Sequence, residues 1–179
     1  SAAASALAAS AKTPTVSSFE GDDPDLPSLD YTANVAVDYS RFKKEMIRHA
    51  GKTDPYLSTV INNGNISTAL AEITIKYAAN MPNPKDVSLT DAQAIAKDQV
   101  RYDMEMWEYK SRKTEQIKAE NKFKDECKKF YNRVTGQLSQ SIQQRLESLT
   151  DYTVNVKDTC DLADLFESLD KVVLGDQKD

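Results

Sequence analysis

The chain is poor in the residues that most chemistry needs. It has one histidine, two cysteines and five glycines in 179 residues. A hydrolase triad requires a base beside a nucleophile. The lone His49 sits near a helix end beside Gly51, where the helix's partial negative charge favours it. A zinc site requires three or four Cys/His ligands at short spacing, and Cys127, Cys160 and His49 are dispersed. None of the five glycines falls into a phosphate-cradling G-x-x-x-x-G-K-[ST] or G-x-G-x-x-G pattern. No catalytic residues, metal ligands or cofactor-binding residues are therefore expected, and the reading is of a protein that is not an enzyme and takes no small-molecule substrate. Two cysteines without a C-x-x-C build no disulfide framework and fit a reducing, intracellular setting. No apolar run nears the roughly 20 residues of a membrane span. The Ala/Ser-rich start lacks the basic region of a signal peptide, and without an initiator Met it reads as a piece of something longer.

Low glycine and proline favour long helices over a turn-rich β fold. The expected architecture is all-α: a bundle of about six helices including one long helix, with a flexible N-terminal tail. Residues 1–30 read as that tail, Ala/Ser-rich to Ser18, then acidic and broken by Pro24 and Pro27. The folded part is expected over 31–175, and 176–179 as the end of the piece or a linker to a further domain.

Periodicity places the helices. Asp38 or Ser40 is expected to cap the first, with Tyr39, Phe42, Met46 and Ala50 inward and Gly51 as its stop. Asp54-Pro55 opens a second, ended by Asn63-Gly64. Ser67 or Asn65 opens a third with Ile66, Leu70, Ile73 and Tyr77 on one stripe; its β-branched ITIKY centre leaves a strand as the alternative. Met81-Pro82-Asn83-Pro84 breaks the chain. From Thr90-Asp91 to about Thr135 runs the longest pattern, free of Gly and Pro. Its middle, Lys110–Lys122, offers only Ile117 and Ala119 as apolar residues, so it reads as solvated helix projecting past the core. Sustained heptads are lacking, which excludes a long coiled coil, and a break near Ser111 is one option. Two short amphipathic segments follow, one from about Ser139 to Leu149 and one from about Thr159 to Leu174. Trp107, Phe130, Leu146, Leu165 and Phe166 are assigned to the core.

Charge is uneven. Residues 1–40 hold six acids against Lys12 alone, so the remaining 22 bases and 22 acids balance. Within that remainder 110–133 carries nine bases to four acids, and 147–179 three bases to nine acids. This polarity is read either as a solvated helix face and a solvated tail or as support for head-to-tail contact between copies. Lys110, Arg112, Lys113, Lys118, Lys122, Lys124 and Lys128 are the candidate assembly or RNA contacts. Asp158, Asp161 and Asp164, three residues apart, are the candidate acidic contact; lacking the glycine and terminal Glu of a calcium loop, they read as helix-start acids. Dilution by Glu115, Glu120, Asp125 and Glu126 makes any RNA binding weak and salt-sensitive.

One resemblance joins these segments. Trp107-Glu108-Tyr109 and the basic helix after it, Phe130–Ser139 ending in Gly136-Gln137-Leu138-Ser139, Ile142–Leu149, the Asp151-Tyr152 turn and the Asp158–Leu169 run together resemble the Gag polyprotein of copia-type LTR retrotransposons. Tyr39–Asn65 is a weaker echo. The match is loose over about 130 residues, mostly apolar spacing, and Phe166 stands where many relatives carry Trp. The resemblance implies an N-terminal capsid domain that self-associates as a homo-oligomer into cytoplasmic virus-like particles around RNA. A domesticated helical adaptor binding a protein partner, or a weak nucleic-acid-binding domain, are the alternatives.

Overall fold

A computed structural model describes residues 19–175. The Ala/Ser-rich stretch 1–18, expected as a flexible tail, and 176–179 lie outside the described residues. The fold is all-α: six α-helices and one π-helical turn, with no β-strand among the described residues.

Helix α1, Val35–Thr53, buries Val35, Tyr39, Phe42, Met46 and Ala50 on one stripe. It begins before the expected caps and runs through Gly51. Asp54 before Pro55 is extended, because a residue preceding proline is driven out of the helical region, so Pro55 rather than Gly51 sets the stop. Asp54 then accepts from the Tyr56 N–H and caps α2, Pro55–Asn63, which Gly64 ends in the left-handed conformation. Helix α3, Ser67–Lys76, resolves the helix-or-strand ambiguity of ITIKY in favour of helix. Its inward pair is Ala69 and Ile73; Ile66 stands exposed.

Helix α4, Ala92–Thr135, is capped by Asp91, which accepts from the Ala94 N–H. It is one continuous helix of 44 residues without a break at Ser111, about 66 Å long at about 1.5 Å per residue. Only its last part, at Phe123, Cys127, Phe130, Tyr131 and Val134, is buried. Ser139 caps α5, Gln140–Glu147. A π-helical turn over Thr153–Lys157 follows, unforeseen in the sequence, between two left-handed residues, Asp151 and Cys160. Asp161 caps α6, Leu162–Leu174.

Helix α6 is central, packing on α1, α2, α4 and α5. Its Leu162, Leu165, Phe166, Leu169 and Val173 face the core, as their spacing predicts. Phe130, Leu146, Leu165 and Phe166 are fully enclosed there. Phe123 meets Tyr56 edge-on, ring centres 6.1 Å apart.

The boundary near Tyr31 is corrected by the structure. Residues 19–30 are a strap lying along 136–139. Leu26 and Leu29 enter the core, and Leu29 makes a parallel bridge to Leu138. Gly136-Gln137-Leu138-Ser139 thus has a local physical role: Gln137 holds the strap through its side-chain amide, Leu138 fills the core and Ser139 caps α5.

Candidate assembly surface

The part of α4 before Phe123 extends beyond the helical body, covered on one side only. The covering segment is the chain between α3 and α4. Arg101 pins it: its guanidinium donates to the Asn83 and Pro84 carbonyls while pairing with Asp98 and Glu105, both at 2.8 Å. Asp98 accepts from the Asp86 N–H at 2.7 Å, and that bond, with Arg101, holds its carboxyl below the usual range. The Lys85 ammonium sits 5.2 Å from the centre of the Tyr102 ring. Tyr102, Met106 and Tyr109 are accordingly half-buried. Further along, residues 78–83 and Glu105, Glu108, Tyr109 and Arg112 border an open groove of about 640 Å³.

Trp107 is not in the core. It lies on the opposite side of α4, 71% exposed, in line with Met104 at 67% and Val100 at 58%. The three recur at i, i+4 and i+7, so they form one apolar stripe. The expectation failed because the described residues supply no second layer there. The signal was nevertheless present: Val100, Met104 and Trp107 share the helical period.

The basic candidates do not form one patch. At about 3.6 residues per turn, Lys118 and Lys122 fall on one face and Lys110, Lys113, Lys124 and Lys128 on another, with Arg112 apart at the groove. Lys118 is paired with Glu115. Distributed this way, the positive charge makes no concentrated track for phosphates.

The acidic candidates are split too. Asp161 is occupied as a cap, accepting from the Asp164 N–H at 3.0 Å. Asp164 is half-buried; burial, then the carboxylates of Asp161 and Glu167, raise its pKa. Asp158 is exposed beyond the π-turn. Among the described residues no group of three or more His, Cys, Asp or Glu is placed to hold a metal ion, and no helix is long and apolar enough to cross a membrane. His49 is half-buried, 3.4 Å from the Arg48 guanidinium and one turn before the end of α1 at Thr53.

Comparison of the chain with protein-family models, with curated proteins and with solved structures finds no match.

Proposed function

We propose that this chain is a structural, self-associating capsid protein of the Gag type, from a copia-type LTR retrotransposon, whose copies form the shell of a cytoplasmic virus-like particle around RNA. The observation that carries the reading is the free part of α4, which presents an apolar stripe to solvent from a body whose own core is closed. A shell repeats one modest contact many times, so each contact can be weak. The resemblance of the 107–169 segments to copia-type Gag supplies the rest. RNA contributes through scattered lysines, which implies weak, salt-sensitive packaging.

Light scattering across protein concentration and salt, with and without RNA, tests this. Growth into large regular particles is expected. A monomer under every condition overturns the shell for this chain and favours an adaptor that binds a foreign protein. Charge reversal at Lys118, Lys122 and Lys124 together is expected to change the association; particles indifferent to it would remove those lysines from the contact.

A further inference from the structure

We infer that two copies of this chain pair antiparallel along α4, each laying Val100, Met104 and Trp107 against the same stripe of the other, about a two-fold axis between Met104 and Trp107. The inference deepens the self-association reading and rests on it for what the pair is used to build.

Four observations converge on a second copy. The stripe is exposed and faces away from the segment that Arg101 pins, so a helix can approach it without displacing the chain's own packing. It lies on an uninterrupted helix, which offers a partner helix a continuous seam. The spacing of four then three, Val100 to Met104 to Trp107, continues to Ser111, a small residue that leaves room opposite Val100. Charge on the flanks then selects both the partner and its direction.

With Met104 of one copy beside Trp107 of the other, the antiparallel arrangement brings Asp103 next to Lys110 of the second copy, twice by symmetry. On the other flank Arg101 stays committed to Asp98, Glu105 and the Asn83 and Pro84 carbonyls, so the two Asp103–Lys110 pairs carry the direction. A parallel pair in register would instead set Asp103 beside Glu108 of the second copy, two like-charge contacts. The like-charge contacts at Asp103 thus arise only in the parallel pair, whereas the inverted patch is complementary to itself, which is the condition for an isologous two-fold contact. Asp103 and Glu108 are exposed, as is Lys110, so they stand at the rim rather than inside the contact. Rim charges set direction and register while the apolar stripe supplies the burial.

The seam is only about two heptads long, so the pair is weak, with a dissociation constant on the order of 10–100 μM. Trp107 is the sole tryptophan, which makes it a reporter of the seam itself.

The experiment is sedimentation equilibrium of the full chain, with tryptophan emission recorded over the same concentrations. A monomer–dimer equilibrium is expected, with Trp107 emission shifting to the blue at the same midpoint. Asp103→Lys is expected to weaken the dimer about tenfold or more, Lys110→Asp likewise, and the double exchange Asp103→Lys with Lys110→Asp to restore it. The rim location keeps these variants folded, which circular dichroism verifies.

A monomer up to about 1 mM overturns the pairing. So does a dimer strengthened by Asp103→Lys, which is the parallel signature, or a dimer whose tryptophan emission stays fixed, which places the contact elsewhere. Emission already blue at the lowest concentration means that another part of the chain or another molecule covers the stripe, and also overturns it. The two readings fail separately. Particles that Asp103→Lys assembles as well as the parent sink the pairing and leave the shell, whereas a charge-exchangeable dimer that never forms particles leaves the pairing and sinks the shell.

Discussion

The side-chain amide of Gln137 closes both backbone groups of Asp23. Its Oε1 accepts from the Asp23 N–H at 2.7 Å, and its Nε2 donates to the Asp23 carbonyl at 2.9 Å and to the Leu26 carbonyl at 3.1 Å. Gln137 is fully buried, so it acts as a peptide group inserted between the strap and the end of α4. Arg133 adds a contact to the Asp23 carboxylate at 3.3 Å; the Asp25 N–H and this guanidinium hold that carboxyl below its usual range.

Gln137→Ala is expected to cost about 1–3 kcal/mol, because buried strap groups lose their partners. Chemical denaturation reads the loss, and hydrogen exchange should quicken first at residues 22–29. Gly21→Ala should act in the same direction, since its Cβ would stand 2.5 Å from the Gln137 amide carbon. Exchange at the strap as slow as in the parent protein would show that Leu26 and Leu29 hold it unaided.

Phe166→Ala and Phe130→Ala are each expected to cost about 3–5 kcal/mol, through lost burial and the cavity left among α1, α4 and α6. Trp107→Ala should change monomer stability by no more than about 0.5 kcal/mol, as at an exposed site. Thermal unfolding at low protein concentration compares the three. A large loss at Trp107 would mean that its ring packs on the monomer after all.

Alkaline pH is expected to destabilise the fold. Burial, then the nearby Asp54 and Asp161 carboxylates, pushes the Cys127 thiol from 9.0 up to about 12. Burial also raises the hydroxyls of Tyr39, which bonds to the Asp170 carboxylate, and Tyr131, which lies 3.2 Å from the Tyr152 hydroxyl. Groups raised in the folded state stay protonated there while the unfolded chain ionises. The contribution of Cys127 is therefore complete below pH 9 and declines as pH rises from 9 through 12, and those of the tyrosines are complete below pH 10 and decline as pH rises above it. Denaturation midpoints across that range measure it, and Cys127→Ala should flatten the first part of the decline.

Arg101→Ala should release the segment before α4 without unfolding the body. The guanidinium ties Asn83 and Pro84 to α4, far from the core around Phe130. Faster hydrogen exchange over 85–88 with an unchanged global midpoint is the expected pair of results. A lowered midpoint would place that segment within the cooperative unit.

The helices were legible because their signals are local. Asp54-Pro55, Asn63-Gly64, Asp91, Ser139 and Asp161 are caps or stops that act within a turn, and the stripes of α1 and α6 repeat at the helical period. The π-turn was not legible: its bonds from the Asp158 N–H to Thr153 and the Asp161 N–H to Val156 depend on how Tyr152 and Val156 are drawn into the core.

Sequence by itself determined the helical class, the long α4 and most of the core, because hydrophobic period and capping chemistry decide those within a few residues. Tertiary structure alone decided three things. It drew an acidic, proline-broken segment into the fold through Gln137, a contact 114 residues distant in the chain that no local pattern encodes. It left Trp107 outside, because an apolar stripe says which face wants cover and not whether the chain has cover to give. It divided the candidate lysines of α4 between two faces, because a run of like charge in sequence becomes a patch only where the helical period aligns it.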